Sequence, residues 1–206
     1  FSASSTMSVA QRLYENGFIT YMRTDSTTLS EGAVAAARNQ VRELYGAEYL
    51  PDAPRTYASK VKNAQEAHEA IRPAGESFRT PGQTGLTGDQ FRLYELSWMR
   101  TVASQMKDAV GSAVTVRLGG TAATGQDVVF SASGRTITFH GFLKAYVEDK
   151  DDSSKKRDDD EARLPALTEG ERITAASLGA AGHETKPPAR FTEATLIKEL
   201  EDREIG

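Results

Sequence analysis

Apolar residues in the first part of the chain recur every three to four positions, the spacing of an amphipathic helix. The first predicted helix is capped by Ser5 or Thr6 and closed by Gly17. A second is capped by Ser30 and ends at Gly46. The positions predicted to face inward are Met7, Ala10, Leu13 and Tyr14 in the first helix and Val34, Ala37, Val41 and Leu44 in the second.

The pattern changes briefly between these two helices. Phe18–Met22 is short, β-branched and aromatic, and it predicts a strand. Thr24–Thr28 has the composition of a turn. This arrangement places Tyr21 on a short rigid element beside a polar turn.

Two further helices are predicted before residue 108. A short one through Gln65–Ile71 ends near Arg72 because Pro73 follows. A long one opens at Thr87 with capping-box spacing. Its apolar stripe indicates core packing rather than a platform for stacked bases. The stripe consists of Phe91, Tyr94, Trp98, Val102 and Met106.

After about Lys107 the apolar period changes to two, which is typical of strands. Residues 150–163 are hydrophilic and of low complexity, and they predict a loop. Thr192 caps a closing helix. The predicted strands are 112–118, 127–132, 135–140, 143–148 and 171–178, with a tight turn at Ser133–Gly134.

These elements predict an α+β fold in consecutive parts. Residues 1–108 are expected to form a helical, winged-helix-like domain. Residues 109–190 are expected to form a β-rich domain, and residues 191–206 the start of a further helical element. Both ends of the sequence look cut, which favours a piece of a longer protein over processing.

Composition excludes some classes of protein. Cysteine is absent, so disulfides and thiolate metal sites are excluded. No apolar run approaches the roughly 20 residues of a membrane span. The net charge is −4: residues 1–110 hold 12 basic and 12 acidic residues, and the remainder holds 13 and 17. Phosphate binding would therefore depend on locally placed Arg and Lys side chains.

Most known catalytic patterns are missing from the sequence. The histidines His68, His140 and His183 lie far apart and have no zinc-site spacing. No phosphate-binding glycine loop or nucleophile elbow occurs. The acidic run Asp158–Glu161 lacks the ligand alternation of a calcium loop, which favours a solvated loop.

One segment combines groups suited to attack on phosphorus. In a strand, Tyr21 and Arg23 project from the same face. A guanidinium beside a phenol favours the phenolate and can hold a phosphate oxygen, while Asp25 and Ser26 can orient Arg23 or accept a proton. The residues alone still favour a packing role for Tyr21, because most strand tyrosines are packing residues.

Four segments resemble motifs of type IA DNA topoisomerases, in the same order. ITYMRTDS (Ile19–Ser26) closely resembles the active-site motif of that family. QEAHEAIRP (Gln65–Pro73) resembles its HEAIRP motif, and YELSWMRTVASQM (Tyr94–Met106) is similar to the helix that follows. KPPARFTEATLIKE (Lys186–Glu199) resembles its PPARFTEA segment. The similarity is to the bacterial branch and extends over nearly the whole chain.

The resemblance implies roles for individual residues. Tyr21 would attack one DNA strand and become joined to its 5′ phosphate, and Arg23 would stabilise the pentacovalent phosphorus. His68 and Arg72 would face the DNA, Arg72 as a phosphate contact. His68 would be a DNA contact or a proton-transfer group, with a neutral surface histidine as the alternative. Glu69 is expected to make a structural salt link.

Weaker DNA-contact candidates follow from the same resemblance. They are Lys186 and Arg190, beside Pro187–Pro188, with a plain solvated turn as the alternative. Asp25 and Ser26 also belong to the expected DNA-binding set.

The resemblance also implies Mg²⁺, held by a D-x-D arrangement on a separate domain. Asp158–Asp160 has that spelling but lies in a charged loop, so no metal site is expected here. The expected partners are single-stranded or underwound DNA and the metal-binding and gate domains of the same cytoplasmic, nucleoid-associated enzyme. The β-rich part would be one segment of an arch or hinge, with exposed strand edges.

Three functions follow from these expectations. The first is cleavage, passage and rejoining of one DNA strand by the whole enzyme without ATP, with the chain alone inactive. The second is a non-catalytic hinge or single-stranded-DNA-binding module. The third is a nuclease that uses a tyrosine ester and leaves free cut ends.

Overall fold

The computed structural model describes residues 1–57, 69–146, 167–203 and 205. Over these ranges the fold is α+β, as predicted. The helices are α1 Ala3–Glu15, α2 Glu31–Leu44, α3 Gly88–Ser104 and α4 Glu193–Asp202, the strands are β1 Val110–Thr121 and β2 Asp127–Phe139, and short 3₁₀ turns cover Ala47–Tyr49, Pro81–Gln83 and Gly141–Tyr146.

Helix α1 begins earlier than the sequence suggested. Its N-cap is Ser2, whose hydroxyl accepts a hydrogen bond from the Ser5 amide, so capping by Ser5 or Thr6 was wrong. The predicted end is confirmed, because Gly17 has φ +69° and follows the helix directly. The inward face is narrower than predicted, since Ala10 and Leu13 are buried whereas Met7 and Tyr14 are exposed.

Helix α2 starts as predicted, with the Ser30 hydroxyl accepting from the Ala33 amide. Gly46, at φ +104°, follows its end. The buried face differs from the predicted one and consists mainly of alanines. Of the predicted inward residues, Leu44 is exposed and Val34 is half-buried. The residues it buries are Ala33, Ala36, Ala37 and Val41.

Helix α3 packs against α1 and α2, and most of the predicted stripe is buried. Tyr94, Trp98, Val102 and Met106 lie in the core as predicted, whereas Phe91 is only half-buried. The Tyr94 hydroxyl donates to the Arg79 carbonyl at 2.7 Å, and the Trp98 indole donates to Gln40 at 2.9 Å. Burial raises the pKa of Tyr94 to about 12, although nearby Arg79 opposes the shift. Thr87 is the N-cap but makes no side-chain capping bond. The largest buried apolar side chains include Leu13, Val41, Tyr94, Val102 and Met106.

The described residues after 109 contain two strands, fewer than the five predicted. Strands β1 and β2 form one antiparallel hairpin, in which Val114 pairs with Gly134 and Thr115 with Ser133. The turn predicted at Ser133–Gly134 is therefore wrong, because both residues lie inside β2. The chain reverses at Ala122–Gln126, where Gly125 has φ +81°.

The other predicted elements have mixed outcomes. Residues 143–146 belong to a 3₁₀ turn, and 171–178 contain no strand, so those two strand predictions were wrong. Helix α4 and its cap Thr192 are confirmed. The loop at 150–163 lies outside the described residues. No described helix is long and apolar enough to cross a membrane.

Candidate active site

Tyr21 follows a single β-bridge rather than lying in a strand, so the strand predicted over Phe18–Met22 was wrong. Ile19 bridges Pro73, the Thr20 amide donates to the Arg72 carbonyl at 2.9 Å, and the Ala74 amide donates to the Phe18 carbonyl at 2.9 Å. Proline has no N–H to extend a ladder. The pairing ends at Thr20, one residue before Tyr21.

Tyr21 is accessible at the start of a loop, residues 21–27, which we call the Tyr21 loop. Its side chain is 46% exposed, whereas Met22 is buried in the core at 8%. The ring packs edge-on against Tyr14 with centroids 5.2 Å apart. No partner of the Tyr21 hydroxyl is found among the described residues. The Tyr21 hydroxyl is therefore accessible to a substrate. The exposure of the side chain also disfavours a packing role for Tyr21.

Arg23 and Asp25 are exposed in the same loop. Within the described ranges, Arg23 has no ion pair or hydrogen bond to its side chain, and Asp25 does not hold it. Ser26 serves the loop itself: its hydroxyl accepts from the Thr28 amide at 3.1 Å, and its own amide donates to the Thr24 hydroxyl at 3.0 Å. The Arg23 guanidinium is therefore available to an anion such as a phosphate.

Arg72 lies inside the protein, at 9% exposure. Its guanidinium makes a bidentate pair with Glu69 at 2.8 and 2.9 Å, and also donates to the carbonyls of Pro73 and Gly75. The salt link expected for Glu69 is thus present. A phosphate contact by Arg72 would have to replace some of these bonds, and that role stays a prediction.

The electrostatics of this pair favour the charged form of Glu69. Partial burial alone would raise the pKa of its carboxyl. Hydrogen bonds from Arg72 and from Ser30 outweigh that effect and hold the pKa of Glu69 below its usual value. Glu69 is therefore an anion at neutral pH, and it compensates the Arg72 charge.

The remaining predicted site residues are not joined to the Tyr21 loop by any described contact. His68 and Asp158–Asp160 lie outside the described residues. The short helix predicted up to Ile71 is not seen over its described end, Glu69–Ile71. Lys186 and Arg190 are exposed in an irregular stretch. In the described ranges, no group of three His, Asp or Glu side chains could hold a metal ion.

Sequence reasoning missed Thr20, the residue before Tyr21. Its hydroxyl donates to the Ala70 carbonyl at 2.8 Å and accepts from the Arg72 amide at 3.0 Å. A polar residue inside the apolar run Phe18–Met22 was the available signal. Its partners are about fifty residues away along the chain, so local pattern could not identify them.

An exposed tyrosine, two residues from a guanidinium that has no partner among the described residues, suits a protein that acts on phosphodiesters. Comparison with known proteins identifies the family. The family model described as DNA topoisomerase matches residues 1–206, the whole chain. The chain therefore belongs to the DNA topoisomerase family, as its motifs indicated.

Curated relatives agree with this assignment. The chain is 71% identical over 206 residues to DNA topoisomerase 1 of Streptomyces coelicolor and 65% identical over 209 residues to that of Mycolicibacterium smegmatis. It is 55% identical over 205 residues to that of Synechococcus elongatus. Each comparison covers 100% of this chain but only 22%, 22% and 23% of the relative. The chain thus spans about a fifth of these bacterial proteins.

Proposed function

We propose that this chain carries the nucleophile of a type IA topoisomerase and that Tyr21 is that nucleophile. The observation that carries the proposal is the exposed phenol of Tyr21, two residues from an Arg23 guanidinium without an ion-pair partner in the described structure. The whole enzyme would cut one strand of underwound DNA, pass the other strand through the gap and reseal it.

The proposed chemistry is an exchange of one phosphodiester for another. The Tyr21 oxygen forms a bond to phosphorus, the bond from phosphorus to the 3′ oxygen breaks, and the proton lost by the phenol is balanced by the one gained by the 3′ oxygen. Arg23 stabilises the charge on the phosphoryl oxygens during the transfer. Because the ester bond is conserved, resealing is the reverse reaction and needs no ATP.

The metal of the proposed enzyme would be held elsewhere. Among the described residues, no group of three or more His, Asp or Glu side chains could hold a metal ion. We therefore assign no step of this chain's chemistry to a metal, and propose that Mg²⁺ and the gate belong to other domains of the whole protein. Lys186, Arg190 and His68 remain proposed DNA contacts, and the proposed location is the nucleoid in the cytoplasm.

A second candidate is a non-catalytic hinge that binds single-stranded DNA. The long β1–β2 hairpin favours it, because exposed side chains occupy most of both strands. The two functions differ in one product. A hinge gives complexes that dissociate as salt is raised, whereas the proposed nucleophile gives a bond that survives denaturation.

A trapping experiment on the full-length enzyme separates them. Labelled single-stranded DNA and Mg²⁺ are added, the reaction is stopped with detergent, and label on the protein is measured. Tyr21→Phe removes the attacking oxygen and should abolish the adduct. Tyr14→Phe, which changes the tyrosine packed against Tyr21, is the matched control and should still form the adduct. Adduct formation by Tyr21→Phe would refute the assignment. A nuclease would instead accumulate free cut ends that are not resealed.

A further inference from the structure

The N-terminal end of the Tyr21 loop is fixed by one hydroxyl. Thr20, next to the nucleophile, is half-buried and donates to the Ala70 carbonyl at 2.8 Å. The same oxygen accepts from the Arg72 amide at 3.0 Å. With the backbone bond from the Thr20 amide to the Arg72 carbonyl, three hydrogen bonds join this residue to one short segment.

The other end of the loop is fixed by the same segment. The Ala70 amide donates to the Thr28 carbonyl at 2.8 Å. The Glu69 carboxylate accepts from the Ser30 amide at 2.9 Å, at the start of α2. Amides at a helix N-terminus lack partners within the helix, so an acceptor for one of them stabilises the helix. The stabilisation is larger when the acceptor is an anion.

Arg72 holds the segment itself in shape. Its guanidinium joins Glu69 to the carbonyls of Pro73 and Gly75, and it lies 5.9 Å from the centre of the Phe78 ring. Since Arg72 is buried and its charge is balanced by the half-buried Glu69, loss of Glu69 would leave the Arg72 charge uncompensated. Segment 69–75 therefore connects the two ends of the Tyr21 loop, and we call it the brace.

We propose that Thr20, Glu69 and Arg72 are positioning residues that set where the Tyr21 oxygen and the Arg23 guanidinium lie relative to the reacting phosphate. The inference rests on the proposed function of Tyr21. It assigns Arg72 to alignment within the protein in place of contact with a DNA phosphate. Displacement of a reacting group by about 1 Å can cost about 100-fold in rate.

The test uses the full-length enzyme and five variants, one of which is Tyr21→Phe. Thr20→Val keeps the shape of the side chain but loses both hydroxyl bonds, and Thr20→Ser restores the hydroxyl. Glu69→Gln removes the charge and places an amide donor against Arg72. Asp108→Asn is the matched control, because it breaks the Arg55–Asp108 ion pair, which lies outside the Tyr21 loop and its brace.

Three quantities are measured for each variant: the single-turnover rate of adduct formation at saturating single-stranded DNA, the Kd for that DNA, and the melting temperature. We expect the adduct rate to fall about 10- to 100-fold for Thr20→Val and Glu69→Gln. Their Kd should stay within about twofold of the control. Thr20→Ser should recover most of the rate, which a general loss of stability would not explain.

Two results overturn the positioning role. One is an adduct rate for Thr20→Val and Glu69→Gln equal to that of Asp108→Asn while Tyr21→Phe gives no adduct. The other is a rise in Kd that accounts for the whole loss, since that would make these residues DNA contacts. An adduct from Tyr21→Phe would instead refute the nucleophile itself. If Thr20→Val does not fold, Glu69→Gln still decides the outcome by the same measurements.

Discussion

The helical region that carries Tyr21 and the β1–β2 hairpin are stabilised by different kinds of contact. The helices share one apolar core, in which Leu13, Val41 and Val102 are fully buried. The hairpin is joined mainly to itself by a backbone ladder, and Val129 and Phe130 remain 69% and 53% exposed. A two-stranded hairpin alone is marginal in water. Tyr21 and Arg23, the proposed reacting groups, belong to the region that has this apolar core.

The two regions meet at a defined root. Phe139 stacks on Tyr49 with ring centroids 4.9 Å apart, and the Lys107 amide donates to the Tyr49 carbonyl. Gly141 turns the chain there at φ +49°, with Asp108 backbone atoms where a β-carbon would lie. The root is thus held by close backbone contact, whereas the two strands that extend from it are joined to each other by the backbone ladder.

Truncation of one leucine in each region should give the largest difference in the free energy of unfolding. Leu13→Ala leaves a cavity beneath α1 and should lower the free energy of unfolding by about 3 kcal/mol. Leu118→Ala on the hairpin, where 41% of the residue is exposed, should change it by about 0.5 kcal/mol or less. Denaturant titration of both variants measures the difference. Equal losses would show that the hairpin has a core of its own.

A pair of glycines tests the root against the tip of the hairpin. Gly141→Ala adds a methyl group against the Asp108 backbone at positive φ, and should cost about 3 kcal/mol of unfolding free energy. Gly125 also has a positive φ, but a β-carbon added there would meet no other atom. Gly125→Ala should therefore lower the free energy of unfolding by only about 1 kcal/mol. Thermal unfolding of the two proteins compares them. A larger loss at Gly125 would contradict the close contact at the root.

The smallest expected effect is the pH dependence contributed by Glu69. Its pKa in the folded protein lies below the usual value of 4.5, so its stabilising contribution is present above about pH 4.5 and is lost as pH falls through the lower, folded value. The difference in free energy of unfolding between the native protein and Glu69→Gln, measured by denaturant titration at each pH, should be constant near neutral pH. It should shrink in acid. A gap that is independent of pH down to 3 would contradict the ion pair.

Local sequence signals predicted the helices well because capping and periodicity are local effects. Ser30, Gly17 and Thr192 mark helix boundaries, and Tyr94 and Trp98 lie on the buried stripe. Each of these positions is determined within one or two helical turns. The exposure of Tyr21 was not predicted, because the motif around it indicated only that it is a candidate nucleophile by family resemblance.

Prediction failed where partners far along the chain decide the structure. The run Phe18–Met22 has strand composition, yet its partner segment contains Pro73 and allows one bridge. Ser133–Gly134 has turn composition, but pairing with Val114 and Thr115 keeps it extended. For Arg72, the burial and the pairing with Glu69 depend on tertiary contacts that no local pattern shows, and its role as a DNA contact stays a prediction.

Locating the covalent bond in the trapped adduct shows whether Tyr21 is the residue joined to DNA. The trapped adduct of the full-length enzyme is trimmed with nuclease and digested with trypsin, which releases Leu13–Arg23 with both Tyr14 and Tyr21. Fragmentation in a mass spectrometer then assigns the nucleotide to one tyrosine. We predict that it lies on Tyr21. A nucleotide on Tyr14, or on a residue outside this peptide, would contradict the account.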